Sequence, residues 1–275
     1  MIIGIQPKSE RLKKYISDFN MFEEKKDFSL NFFAFPQLGS TVEIYENAAI
    51  TRTANEMKVK PEAAGKKNKY SVEILGRYTE PIFISYDGYV KGFSINFKPL
   101  GINYFFDKSY KALAPHNFQQ VSAPTWNKFA EEVLTFKTFE ERVEFAENFL
   151  EKIIRDIQIT ELERAVDTII KDPSVNIDEI ASSSYVSVRS LHRKFNDYVG
   201  CSPMVYKRIV RFRKSIDFDA RKQQNLNFAE ISHINNFFDT SHFRKEFLKL
   251  THQNPVDFFK TISEMGNHKF PYRLL

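Results

Sequence analysis

The sequence predicts an α+β chain: a β-rich N-terminal domain with packed helices, then an all-α region in which a short two-helix unit occurs twice around a long connecting helix. Three observations carry this expectation. Up to about residue 115 Phe, Tyr, Ile and Val are frequent and turn residues interrupt them at short intervals. From about 126 the apolar residues recur at spacings of three and four. Segments 180–203 and 231–255 repeat one pattern of apolar, capping and basic positions. The expected division is 1–115 for the β-rich domain, 116–158 for a helical segment, 159–262 for the repeated-helix domain and 263–275 for a tail.

The first strands are read from period-2 patterns. In "PIFISYDGYVKGFSINFKPLG" Asp87-Gly88 offers a turn tolerant of positive φ, and Phe93, Ile95 and Phe97 alternate with Ser94 and Asn96. This predicts a hairpin with one buried and one wet face. "FPQLGSTVEIYE" reads similarly, with Gly39 at a turn before Val42 and Ile44. The segment 56–70, "EMKVKPEAAGKKNKY", is polar, charged and interrupted by Pro and Gly, which predicts a mobile loop. Phe83, Phe93 and Phe97 are expected in a core.

Helices follow. Phe139, Val143, Ala146, Leu150, Ile153 and Ile157 form a seam for a helix of about nineteen residues, packed on the chain's own sheet or on a second subunit. Thr160 with Glu163 offers a capping box, and Leu162, Ala165, Val166, Ile169 and Ile170 form the buried stripe behind it. Asn176 with Glu179, and Asn227 with Glu230, repeat that start signal.

Composition narrows the function. With 275 residues and 42% hydrophobic content the chain can bury two cores without staples. The single cysteine, Cys201, excludes an intramolecular disulfide and a Cys-based zinc site, and suits the cytoplasm. No apolar run reaches the roughly 18 residues of a membrane span, and the N-terminal apolar run is too short for a secretory signal. A net charge of +5 permits an anionic partner. Between 187 and 222 there are ten Lys or Arg against three Asp, so the basicity is concentrated there.

The two repeats sharpen this. Each has Ile with a small residue, a break, a helix-start residue (Ser187, Asp239), an apolar residue four before a Phe (Leu191 before Phe195, Phe243 before Phe247) and a cation two before that Phe (Arg193, Lys245). Both close eight residues after the Phe with a cap and a proline, Ser202-Pro203 and Asn254-Pro255. A short helix, a tight turn and a second helix make a helix-turn-helix unit, whose second helix enters the major groove of duplex DNA. With Leu191 and Phe195 inward, the outward face of the first unit is Arg189, His192 and Arg193; in the second it is Thr240, Ser241, Arg244 and Lys245. Arg suits this role because it bonds guanine bidentately, which discriminates bases by about 1–3 kcal/mol. Between the units, 203–222 reads as one helix of about twenty residues, roughly 30 Å long and close to one DNA pitch of roughly 34 Å. Tyr206, Ile209, Val210 and Ile216 face inward on it, and Lys207, Arg208, Arg211 and Lys214 are the candidate phosphate contacts.

On "IDEIA", "S-x3-L-x-R-x-F" followed by "GCSP", then "AEIS", "F-x-D-x-SHF" and a closing "NP", residues 160–260 resemble the AraC/XylS family of bacterial transcription regulators. Asn236 and His252 stand where that family usually has Gly, and Lys245 where Arg is commoner. The first 150 residues, through "P-x4-LKKYI", "FPQLGSTVEIY", "GFSINFKPLG" and "F-x2-RV-x5-FL", resemble a sensor domain of some members. The resemblance implies a transcription regulator acting on promoter or operator DNA, in reach of RNA polymerase. Its sensor-like domain would take a small-molecule effector, form a homodimer or contact other proteins. It implies no cofactor and no metal.

Two rival readings are weaker. An enzyme would need a reactive site, but Cys201 lies in a turn between helices, the six histidines are scattered, and neither a His-Glu-x-x-His nor a phosphate-cradling Gly loop occurs. No catalytic residue is expected. A membrane-surface or RNA-binding module could use the basic 203–222 helix, yet would leave the paired units unexplained.

Overall fold

The computed structural model describes residues 3–24, 27–62, 69–216, 230, 240–265 and 270–274. Among the described residues twelve strands form two six-stranded sheets. The first has the order β1 (Ile3–Ile5), β2 (Ile16–Glu24), β9 (Val90–Phe97), β4 (Ser40–Glu46), β7 (Tyr70–Leu75), β10 (Phe118–Gln120); the second has β11 (Ser263–Met265), β12 (Phe270–Leu274), β3 (Ser29–Ala34), β8 (Ile82–Asp87), β6 (Glu56–Pro61), β5 (Ala48–Arg52). All pairings are antiparallel except β6 with β8.

The alternation in β8 and β9 is present, and Gly88 turns the chain with φ 84°. The hairpin expected there does not form. β8 pairs with β3 and β6, whereas β9 pairs with β2 and β4 in the other sheet. The turn is therefore a corner between layers. For the same reason the face expected to be wet is covered, and Ser94 and Asn96 are buried with Phe93, Ile95 and Phe97. A local pattern sees the turn but not which strand lies alongside.

The polar face so enclosed is ordered by register. Asn20, Ser94, Glu43 and Glu73 lie side by side across β2, β9, β4 and β7, and Asp18, Asn96 and Thr41 form the adjoining row. Hydrogen bonds link the second row, Thr41 to Asn96 at 2.8 Å and Asn96 to Asp18 at 2.7 Å. Opposite lie Phe32, Met57, Val59, Ile84 and Tyr86 of the second sheet. Six residues of the expected loop 56–70 contribute to that sheet: 56–61 is strand β6, with Met57 and Val59 buried and Lys58 and Lys60 outside. Its Glu-Met-Lys-Val-Lys alternation outweighs its polarity.

On the outer face of the first sheet lie α2 (Pro124–Val133) and α3 (Phe139–Ile153), after a short α1 (Tyr110–Leu113). Phe139, Val143, Ala146 and Leu150 are buried against this chain's own sheet. The seam is thus consumed internally and is not left for a second subunit. It is also shorter than expected, 15 residues, because Ile154 is extended and Ile157 lies beyond the helix. The Thr138–Glu141 capping box that starts α3 was not anticipated.

Four helices follow: α4 (Thr160–Lys171), α5 (Ile177–Ser183), α6 (Val188–Tyr198) and α7 (Pro203–Ser215). α8 (Thr240–Thr251) and α9 (Pro255–Thr261) come after the residues that are not described. Thr160 is not the cap expected at the start of α4. Ile159 occupies that position, and Glu163 instead accepts from the Tyr104 hydroxyl at 2.5 Å. The tail does not stand apart: β11 and β12 extend the second sheet, with Tyr272, Arg273 and Leu274 opposite Ala34, Phe33 and Phe32. No described helix is long and apolar enough to cross a membrane.

Candidate nucleic-acid interface

The first two-helix unit is built as its caps prescribe. The Asn176 side chain accepts from Glu179 N at 2.8 Å to start α5, and Ser187 accepts from Ser190 N at 3.2 Å to start α6. Between them the turn closes through Tyr185 N to Ser182 O and Val186 N to Ala181 O, both at 3.0 Å. Ile180, Ala181, Leu191 and Phe195 are buried. That fixes the opposite face of α6, where Arg189 and Arg193 are exposed and His192 is half-buried. Lys194 is held aside by Glu161 at 3.0 Å.

The second unit is described from Thr240. Phe243 and Phe247 are buried, Ser241, Arg244 and Lys245 are exposed and Thr240 is half-buried. Asn254 accepts from Asp257 N at 3.0 Å, with Pro255 in the first turn of α9. His252 has φ 55°, the left-handed conformation that Gly200 (φ 82°) takes at the corresponding end of the first unit. Asn227, Asn236 and Asp239 lie outside the described residues, as do all but Glu230 of the residues expected to form the first helix of this unit.

α7 joins the units. Tyr206 and Val210 pack with Leu191 and Phe195, and the Tyr206 ring lies 5.9 Å from that of Phe195. Ile209, Phe212 and Ile216 pack with Phe243, Phe247, Leu250 and Phe258, with Phe212 and Phe247 rings 5.4 Å apart. All four expected inward residues are buried. The helix is nevertheless shorter than the twenty residues expected. It closes at Ser215, where Ile216 caps it with ψ 9°, and its 13 residues span about 20 Å; 217–222 lie outside the described residues. The spacing of the two exposed faces is therefore set by apolar packing on two sides of α7, and not by a helix one DNA pitch long.

The cations of α7 do not all face solvent, and two of the four expected phosphate contacts, Lys207 and Arg208, are engaged within the protein instead. Lys207 is buried and its ammonium donates to Val175 O. Burial, with the nearby Arg211, pulls this ammonium below its usual pKa. Arg208 pairs with the buried Glu246, which Lys249 also meets at 3.2 Å. Burial works to raise the Glu246 carboxyl, but Arg208 and Lys249 outweigh it and hold it low. Arg208 thus ties α7 to α8. Lys214 is exposed and donates to Lys171 O at 2.9 Å, and Arg211 is half-buried. Cys201 is buried in the turn before α7, where burial pushes its thiol up to about 11, an unreactive state at neutral pH.

The β-rich domain grips the same units at points that sequence spacing did not reveal. Arg77 donates to Val199 O at 2.7 Å and Gln37 O at 2.8 Å, and lies 5.4 Å over the Tyr206 ring. Asn103 donates to Tyr198 O at 3.0 Å. Phe35, next to β3, is fully buried among the α7, α8 and α9 aromatics, 4.8 Å from Phe258. A lone Arg or Phe carries no periodic signal of a long-range contact.

Residues 180–261 match the family described as helix-turn-helix domain. No curated protein matches. Among solved structures, the chain is similar to ToxT from Vibrio cholerae at 15% identity and TM-score 0.45, covering 88% of this chain and 97% of that one. A form of ToxT from Vibrio cholerae bound to an unsaturated fatty acid gives 14%, 0.43, 87% and 93%. The AraC-like transcriptional activator CuxR gives 14%, 0.21, 74% and 75%.

Proposed function

We propose that the chain, whose residues 180–261 match a helix-turn-helix domain, is a DNA-binding transcriptional regulator of the AraC type that reads two successive major grooves with α6 and α8. One observation supports this most: α6 buries Leu191 and Phe195 on α7, and α8 buries Phe243 and Phe247 there, while Arg189 and Arg193, and Arg244 and Lys245, stay in water. Arg189, His192 and Arg193 meet the bases of one half-site; Thr240, Ser241, Arg244 and Lys245 meet the other. Arg211 and Lys214 lie at phosphates, which fixes register without conveying sequence. Lys207 and Arg208 hold the domain together instead.

The β-rich domain receives the signal, as a small effector or a second copy, and passes it through Arg77 and Phe35 to the two units. The chain carries out no chemistry of its own and acts in the cytoplasm, in reach of RNA polymerase.

The experiment is a spacing series. The preferred duplex is selected from a random pool, and its two half-sites are then moved apart by about 5 base pairs, half a helical turn, or by about 10. Binding should fall at half a turn, since α6 and α8 are both held by their packing on α7, and recover in part at a full turn only if that packing yields. Equal affinity for all spacings would refute two-groove reading.

A further inference from the structure

Tyr185, in the turn before α6, is left-handed with φ 57° and is 80% exposed. Glycine adopts that conformation freely, while an aromatic residue is strained in it. Nothing in the core repays the strain, because the ring lies outside it and its contact is with the guanidinium of Arg164, 5.4 Å from its centroid. The turn itself is closed by backbone bonds, which do not need a tyrosine. Strain without local return is characteristic of a residue kept for binding.

The surroundings indicate what is bound. The turn stands two residues before Ser187, the cap of the helix that carries Arg189 and Arg193. In a helix-turn-helix complex the N-terminal end of that helix is the end nearest the bases, so the preceding turn lies at the lip of the groove, beside sugar and phosphate. Arg164 suits that position. Of the carboxylates flanking it on α4, Glu161 bonds to Lys194 while also feeling the Arg164 charge, and Glu163 accepts from Tyr104; Arg164 forms no salt bridge of its own among the described residues. Arg164 is exposed beside the Tyr185 ring, where its planar fork is open to a phosphate.

We propose that Tyr185 and Arg164 together form a sequence-independent contact with the DNA backbone beside the first reading helix. The proposal rests on the duplex-binding reading above and adds two residues to it. The full chain is compared with Tyr185→Gly and Arg164→Ala by fluorescence anisotropy, on the preferred duplex and on a scrambled one, at two salt concentrations. Arg164→Ala should bind both duplexes about fivefold more weakly and make the salt slope shallower by about one. Tyr185→Gly should weaken both duplexes similarly while its melting temperature stays at or above the parent's, since the backbone strain is relieved. Parent-like binding by both variants would overturn the proposal, and so would lost promoter output with unchanged DNA affinity, which would assign the pair to a protein partner. Arg189→Ala separates the two failures: if it loses base preference while Tyr185→Gly and Arg164→Ala bind normally, only the backbone contact is wrong.

Discussion

The guanidinium of Arg77 donates 2.7 Å to the carbonyl of Val199, at the C-terminal end of the helix that presents Arg189 and Arg193. One side chain of the β-rich domain thereby satisfies an orphan carbonyl of α6, complements its dipole and lies over Tyr206 of α7. Arg77→Ala should lower stability by about 1–3 kcal/mol, measured by urea unfolding of the full chain. Arg77→Lys should recover little of it, because an ammonium cannot serve Val199 and Gln37 as a fork does. Unfolding curves that superpose on the parent's would show that the contact does not couple the domains.

Glu43 makes stability depend on pH. It is buried between the sheets, accepts from the Tyr45 hydroxyl, and lies beside Glu73, whose charge Arg52 holds; Tyr86 closes the group from β8. Burial, moderated by Tyr45 and reinforced by Glu73, raises the Glu43 carboxyl to about 7. The folded chain therefore favours the protonated form. Its contribution is complete below the ordinary value near 4.5, is lost as pH rises through about 7, and changes no further above. Glu43→Gln, which keeps an acceptor for Tyr45, should be more stable than the parent at pH 8 by up to about 3 kcal/mol and indistinguishable near pH 4. An identical pH profile for the two proteins would disprove the assignment.

Gly200 and His252 occupy matching left-handed positions and should respond in opposite directions to substitution. A Cβ at Gly200 would meet the Tyr110 ring at 2.8 Å, in addition to the strain of φ 82°. Gly200→Ala should cost about 2 kcal/mol. His252, exposed with φ 55°, should gain up to about 1 kcal/mol as His252→Gly. Thermal unfolding of both variants reads the signs, and a destabilised His252→Gly would show that its ring makes a contact worth more than the strain.

The helical half of the fold was legible because its signals are local. Caps at Asn176, Ser187, Ser202 and Asn254, and the inward Leu191, Phe195, Phe243 and Phe247, follow from spacing alone. Pairing in the β domain was not, because strand neighbours are decided by contacts distant in sequence. The Asp87-Gly88 turn looks the same whether it joins partners or crosses between sheets, and a tail of thirteen residues gives no sign that it will lie against β3. On α7 the pattern located the buried stripe but counted every cation as exposed. Lys207 and Arg208 are claimed by Val175 and Glu246, partners that one helix's periodicity cannot reveal.

The most direct test is base discrimination by half-site. Affinities of the full chain, Arg189→Ala and Arg244→Ala are measured on the selected duplex and on duplexes with single base changes in each half. Arg189→Ala should lose about 1–3 kcal/mol of discrimination in one half only, and Arg244→Ala in the other only. If both variants keep the parent's affinity and preference throughout, α6 and α8 do not read DNA as described.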